Sequence, residues 1–252
     1  MRSLENKVAL VTGAGSGMGK AIAALFASEG AKVVATDVNE KRLQELVNAI
    51  RSDKGEIISV TGDVSKEDDA RKMIDAAMRK YEGIDVLVNN AGVLDNFMPV
   101  ADATNEMWDH VMGVNINGPF YLCRLVVPIM LKQGRGSIVN ISSVGGLNGS
   151  RAGVAYTTSK HALIGLSKNI AFMYGDKGIR CNVIAPGGVN TNIGEGMNPN
   201  ALGYAKLSLG LGTNIRTGEP KEIAEVALFL AGEKSSLMNG AVVVADAGWT
   251  AY

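Results

Sequence analysis

The chain has 252 residues, 46% of them hydrophobic and 20% charged, which supplies a sizeable core and excludes a disordered protein. Its 25 basic and 25 acidic residues cancel, and no Lys/Arg-rich run stands out, so the electrostatic footprint of a nucleic-acid or anionic-membrane binder is lacking. Small-molecule chemistry in a single domain spanning 1–252 is the remaining expectation.

The polar start MRSLENK passes directly into a strand-like VALVT from Val8, so no signal peptide is expected. Next stands Thr12-Gly13-Ala14-Gly15-Ser16-Gly17-Met18-Gly19, leading into the helical AIAALFASEG. Glycines there let the backbone turn tightly and approach a pyrophosphate, whose charge the N–H groups and dipole of a helix start favour. The spacing is T-G-x-x-x-G-x-G rather than G-x-G-x-x-G, because Met18 and Lys20 occupy the positions where the third glycine would fall. The second strand, KVVAT from Lys32, runs to Asp37, about twenty residues beyond the loop, where a carboxylate can accept hydrogen bonds from an adenosine ribose. NAD is therefore expected over NADP, whose 2′-phosphate would meet a like charge. Ser16 supplies no offsetting cation, and Lys41 and Arg42 read as solvated helix positions.

KRLQELVNAI then reads as a helix and IISV from Ile57 as the third strand, followed by Asp63-Val64. The spacing of Ser65 to Asp68 places a capping serine before the helical EDDARKMIDAAMRKY. VLVN from Val86 is the fourth strand and runs into Asn89-Asn90-Ala91-Gly92. A long helix from about Thr104 to Gln133 contains Asn115, and its most apolar stretch, LVVPIML, is too short to span a bilayer and holds Pro128. SIVNI from Ser137 leads to Ser142-Ser143, of which one hydroxyl is expected to reach a substrate, since adjacent residues at a strand end face opposite ways.

The next helix, Gly153 to Gly175, carries Tyr156 and Lys160 four residues apart and so on one face. A free phenol, with a pKa of roughly 10, is a poor proton shuttle near neutrality, and a cation beside it is expected to lower that value. RCNVIA from Arg180 is the sixth strand, ending before Gly187. From Thr191 to about Thr217 the chain is rich in Gly, Asn, Leu and Met, with a helical patch only around Ala201 to Leu207, as expected of a functional segment. Pro220 and Gly232 bracket the helical EIAEVALFLA, and AVVVA from Ala241 is the seventh strand. This alternation predicts an α/β Rossmann fold, a doubly wound seven-stranded parallel sheet with helices on both faces.

Glycine loop, Asp63-Val64, Asn89-Asn90-Ala91-Gly92, Asn115, Ser142-Ser143, Tyr156 with Lys160, and Pro186-Gly187 stand in an order that resembles the short-chain dehydrogenase/reductase family, from the first strand to the last. The resemblance implies a nicotinamide cofactor, NAD, along Gly13, Ser16, Gly17, Met18, Gly19, Asp37, Asp63, Val64, Asn90, Ala91, Gly92, Tyr156, Lys160, Pro186, Gly187, Val189 and Thr191. It implies Tyr156 as the acid for reduction and base for oxidation, and Lys160 as a ligand of the nicotinamide ribose. Ser143, thirteen residues before Tyr156, would orient the substrate oxygen, and Asn115, rather than Asn117, would hold a water linking Lys160 to solvent. A homotetramer is expected on the same ground, with the two long helices as interfaces and AVVVADAGWTAY as a second contact.

No metal site is expected: His110 and His161 stand apart from any ligand-like cluster, and Asp95, Asp102 and Asp109 read as loop or helix-surface carboxylates. Cys123 and Cys181 form neither CxxC nor a disulfide framework and fit small core residues in a cytoplasmic protein. The substrate pocket is expected between Val93–Met98, Val144–Gly153 and the stretch after Thr191. Leu147, Met197, Leu202 and Leu207 would be its apolar side and Asn96, Asn148 and Arg151 its polar one. The leading reading is an oxidoreductase moving a hydride between NAD(H) and a secondary alcohol or ketone. The alternatives are a 3-oxoacyl-thioester reductase and an NAD-sensing regulator without catalysis.

Overall fold

A computed structural model describes residues 2–251. Its strands are β1 (Val8–Thr12), β2 (Lys32–Asp37), β3 (Glu56–Thr61), β4 (Val86–Asn89), β5 (Gly136–Ile141), β6 (Ile179–Pro186) and β7 (Val242–Ala245). All pair in parallel in the order β3-β2-β1-β4-β5-β6-β7, so the seven-stranded sheet read from the sequence is present. Val11 of β1 stands opposite both Ala35 of β2 and Val88 of β4, and the strand order reverses there. The crevice outside the carboxyl ends of these strands is the place where an open α/β sheet binds ligands.

The helices are α1 (Gly17–Ser28), α2 (Glu40–Ser52), α3 (Glu67–Tyr81), α4 (Asn105–Met112), α5 (Gly118–Gln133), α6 (Val154–Tyr174), α7 (Ala201–Leu211) and α8 (Pro220–Ala231). Side chains of β1 alternate between two cores: Ala9 and Val11 join α1, α2 and α8 on one face, and Leu10 joins α3, α5 and α6 on the other. Two-sided burial explains why Val8–Val11 of this fully buried strand are all apolar rather than alternating.

Three local expectations are corrected. Helix α3 is capped by Lys66 without a side-chain bond, because the Ser65 hydroxyl is donated to Asp63 Oδ1 at 2.7 Å. The acidic first turn, Glu67, Asp68 and Asp69, offsets the missing cap through the helix dipole. The helical patch after Asn200 runs on to Leu211, since Asn200 Oδ1 accepts the Gly203 N–H at 3.0 Å and Leu207 is buried. The expected long helix is α4 and α5 joined by a π-turn at Gly113–Asn117, centred on buried Asn115. That joined body, Asn105–Gln133, is long and apolar enough to cross a membrane by length and composition, and half of its apolar window is buried inside the protein as in a core helix.

Candidate active site

The glycine loop is shaped by close approaches that side chains would block. Gly13 and Gly17 have φ of 63° and 51°, the left-handed region that glycine tolerates, and a Cβ on Gly19 would overlap the Gly13 carbonyl oxygen. The residues after β4 brace the loop from the side. Asn90 Nδ2 donates to Thr12 O at 2.9 Å and Gly13 O at 3.3 Å, while the Asn90 and Ala91 N–H groups reach Thr12 Oγ1 at 3.0 and 3.1 Å. Asn90 lines the cleft, and its Oδ1 is buried without a protein partner. Asp37 accepts the Gly15 N–H at 2.9 Å and the Asn39 N–H at 2.9 Å, so it fixes the loop as well as presenting a carboxylate at the cleft's end.

The reacting end lies where β5 and α6 meet. Ser143 Oγ accepts the Gly145 N–H at 3.0 Å, and it neighbours the Tyr156 ring: a Cβ on Gly145 would stand 3.4 Å from both Ser143 Oγ and Tyr156 Cε1. Ser142 turns away and donates to Lys160 O at 2.9 Å, as the alternation of strand-end side chains predicts. Lys160 is buried, with Nζ 5.5 Å from the centre of the Tyr156 ring and donating to Ile141 O at 2.9 Å. Burial pushes the Tyr156 phenol up to about 12, against the Ser143 hydroxyl that lowers it, and burial draws Lys160 down to about 8. The expected lowering of the phenol by the lysine is thus corrected: among the protein's own groups desolvation is the largest influence on each, moving both pKa values toward the neutral form while Lys160 stays mostly charged near neutrality.

One cleft of about 560 Å³ joins these two ends. Every residue expected to hold a cofactor lines it except Gly19, which is buried behind Gly13, and Lys160, which is buried behind Tyr156. Ser143 and Tyr156 line the cleft, whereas Asn115 sits behind it. Asn115 Oδ1 accepts the Val93 N–H at 2.9 Å, and Nδ2 donates to Val93 O at 3.0 Å and Ser159 Oγ at 3.1 Å. Asn117 is exposed.

Val93, Leu94, Asn96, Ile193, Glu195 and Met197 also line the cleft, but Leu147, Asn148, Arg151, Leu202 and Leu207 do not, which corrects the expected pocket wall. Arg151 instead stacks over Trp249 at 4.2 Å and donates to Gly210 O at 3.2 Å, and Trp249 Nε1 reaches the same oxygen at 2.9 Å. Arg42 pairs with Glu195 at 3.3 Å rather than standing free on its helix. His110 borders the cleft, a position its isolated place in the sequence did not signal. Asp95 is fully buried rather than a surface carboxylate. Among the described residues no group of three His, Cys, Asp or Glu could hold a metal.

A glycine loop at the switch point of a doubly wound parallel sheet, with a tyrosine and lysine at the far end of the same cleft, puts the protein in the class of Rossmann-fold oxidoreductases. Comparison with known proteins refines this. A family model described as enoyl-(acyl carrier protein) reductase matches residues 13–250. The chain is 42% identical to 3β-hydroxysteroid dehydrogenase 2 of Eggerthella lenta, covering 99% of this chain and 96% of that one. It is 40% identical to the 3-oxoacyl-[acyl-carrier-protein] reductase FabG of Thermotoga maritima, over 97% and 98%. Among solved structures it resembles a short-chain dehydrogenase from Mycobacterium paratuberculosis bound to NAD, with a TM-score of 0.92, 32% identity and coverage of 99% and 100%. A putative NAD(P)-dependent gluconate 5-dehydrogenase from Beutenbergia cavernae, with NADP bound at low occupancy, superposes with a TM-score of 0.89, 32% identity and coverage of 99% of each chain. The chain belongs to the short-chain dehydrogenase/reductase family.

Proposed function

We propose that this member interconverts a secondary alcohol and its ketone with NAD(H). The observation that carries the reading is the juxtaposition of Ser143 and Tyr156 in the lining at the reacting end of the cleft, with Lys160 buried behind the tyrosine. The residues fit a dinucleotide: the glycines clear its path, Asn90 Oδ1 offers an unused acceptor, and Asp37 stands at the adenosine end. When bound, NADH supplies the hydride that reduces the carbonyl carbon, and NAD⁺ accepts it in the reverse direction. In reduction the Tyr156 O–H bond breaks as its proton passes to the substrate oxygen, and Ser143 holds that oxygen in place. Burial keeps the phenol in the protonated form that carries this proton, while its raised pKa makes it a weaker acid than a free phenol. Lys160, whose Nζ donates to Ile141 O, would hold the nicotinamide ribose and return the phenol's proton. Asn115 belongs to that return path: the point where a Gly92 Cβ would stand lies 3.4 Å from Asn115 Oδ1 and 3.5 Å from Lys160 Nζ.

Asp37 selects NAD, because its carboxylate lines the cleft at the end of β2, where an adenosine ribose would lie, and Glu195 neutralises the nearby Arg42. The first substrate class to try is the 3β-hydroxysteroids, on the 42% identity to a 3β-hydroxysteroid dehydrogenase and the apolar Leu94, Ile193 and Met197 in the lining. The 40% identity to a 3-oxoacyl-thioester reductase supports a second reading, which the acidic Asp37 opposes if the reductant is NADPH. The decisive experiment follows NADH formation against 3β-hydroxysteroids, sugars and other secondary alcohols, and NADH or NADPH consumption with a 3-oxoacyl thioester. Turnover of a secondary alcohol with NAD upholds the reading, thioester reduction alone replaces it, and no turnover with NAD still bound favours a sensing regulator.

The exposed apolar side chains of α5 and α6, Phe120, Phe172 and Met173, support a homotetramer built on these helices, which light scattering at micromolar concentration would overturn by reporting a monomer. The two buried, unpaired cysteines support the cytoplasm as its location. Residues 191–217 act as a lid on the cleft within the single domain, with Thr191 against the glycine loop.

A further inference from the structure

The loop after β4 contains a buried carboxylate that the proton-transfer reading leaves unused. Asp95 has no exposed surface, and among the described residues no ion pair includes it. Three backbone N–H groups hold it instead: Oδ1 accepts those of Gly153 at 3.1 Å and Phe97 at 3.2 Å, and Oδ2 accepts that of Tyr156 at 2.9 Å. Gly153 precedes α6 and Tyr156 lies in its first turn, so the carboxylate caps the helix that carries the proton donor. Orphan N–H groups and the positive end of the helix dipole make that place favourable for an anion. Only glycine permits the approach, since a Cβ on Gly153 would stand 2.5 Å from Asp95 Oδ2 and from Met98 N.

The same turn faces the 191–217 segment. Asn96 and Phe97 follow Asp95 with φ of 53° and 57°, a left-handed pair uncommon for non-glycine residues and, for a bulky aromatic, a mark of local strain. Asn96 O accepts the Asn200 N–H at 2.8 Å, a Cβ on Gly203 would overlap the Phe97 carbonyl, and the Phe97 ring lies 6.2 Å from that of Tyr204. Met98 O accepts the Val154 N–H at 2.9 Å. One four-residue turn is therefore bonded to the start of α6 on one side and to the start of α7 on the other.

We propose that Asp95 is a positioning residue for proton transfer: it seats the Tyr156 phenol through the first turn of α6, and the 95–98 turn passes the docking of α7 on to that phenol. The proposal rests on Tyr156 as the proton donor. A structural cap alone would set only folding, but this carboxylate, against the Tyr156 N–H, also acts electrostatically on the phenol of the same residue. The titratable groups around the phenol are Lys160 on α6, Asp95 on the loop after β4 and, in the same cleft lining, His110 on α4. Of these, Asp95 disfavours the phenolate.

The test compares wild type, Asp95→Asn, Tyr204→Ala, the double variant and Tyr156→Phe. It measures kcat against pH for oxidation of a 3β-hydroxysteroid, or of whichever secondary alcohol turns over, together with NADH affinity by fluorescence. Asp95→Asn is expected to lower kcat about 10–100-fold, the scale of a small misplacement of a reacting group, with NADH affinity within about twofold. Its kcat–pH profile should move to lower pH, because the lost charge no longer opposes the phenolate. Tyr204→Ala should lower kcat a few-fold in the wild type and add nothing in the Asp95→Asn background, the mark of one coupled unit. Unchanged kcat and profile in Asp95→Asn overturn the proposal, as does a parallel loss of kcat and NADH binding with the profile unmoved. If Asp95→Asn does not fold, Tyr204→Ala decides alone: lower kcat with intact NADH binding supports coupling, and unchanged kcat overturns it. Activity retained in Tyr156→Phe would instead refute the proton-donor reading, and the proposal with it.

Discussion

Around Tyr156 the polar groups are buried and bonded: Lys160 to Ile141 O, Asn115 to Val93 and Ser159, Asp95 to three N–H groups, all on or beside the packed core. Residues 191–217 differ in almost every respect. Leu209 and Ile215 are more than three-quarters exposed, only Leu207 of α7 is buried, and the segment is tied down by separate polar contacts at Arg42–Glu195, Asn96–Asn200 and Arg151–Gly210. Groups in the floor are fixed by many neighbours at once, which suits chemistry sensitive to small displacements. A segment held by a few separate contacts can open at lower cost than the floor, and of these the exposed Arg42–Glu195 pair contributes at most about 1 kcal/mol.

The largest effect expected of this contrast is in the floor. Tyr156→Phe should lower turnover by about 10²–10⁴-fold while NADH affinity holds, because the ring still packs and only the transferable proton is gone. A purified variant keeping more than about a tenth of wild-type kcat would remove Tyr156 from the mechanism.

Next comes the pH dependence of stability. Lys160 is held at about 8 against 10.5 in the unfolded chain, so between those values the unfolded state binds a proton that the native state lacks, and stability rises with pH. Tyr156, raised from 10.0 to about 12, acts oppositely at higher pH, where the native state keeps a proton that the unfolded state has lost. Wild type should therefore gain about 3 kcal/mol relative to Lys160→Met between pH 8 and 10.5, measured by denaturant unfolding. A constant difference across that window would mean that Lys160 keeps its ordinary pKa.

A smaller effect is expected at the cofactor's adenosine end. Asp37→Ser with Val38→Arg should shift the NAD/NADP ratio of kcat/KM by about tenfold or more toward NADP, by removing a repulsion and adding a cation. Part of the loss with NAD should come from the glycine loop, because Asp37 also holds the Gly15 N–H. A wild-type enzyme that prefers NADP, or an unchanged ratio in the variant, refutes the assignment.

The smallest effects belong to the lid. NAD should slow hydrogen exchange across 191–217, and Arg151→Ala, which removes the Trp249 stack and one bond to Gly210 O, should speed exchange in α7 while leaving β5 and α6 unchanged. Equal exchange with and without NAD would make the segment a fixed wall.

The sequence by itself determined the seven strands, the glycine loop, the acidic end of β2 and the tyrosine–lysine spacing. These are local properties: apolar runs of strand length, backbone conformations open only to glycine, and a four-residue step on one helix. Tertiary structure alone decided the rest. Asp95 reads as an ordinary loop carboxylate until the fold brings Gly153 and Tyr156, 58 and 61 residues away, against it. Asn115 has a π-turn around it and Val93 as its partner, and α7 runs past Leu207 to a terminus clamped by Trp249, 39 residues beyond Gly210. The sequence spacing also pointed the wrong way for the Tyr156 pKa, because proximity in a helix shows the cation but not the desolvation, which is the largest influence on both groups.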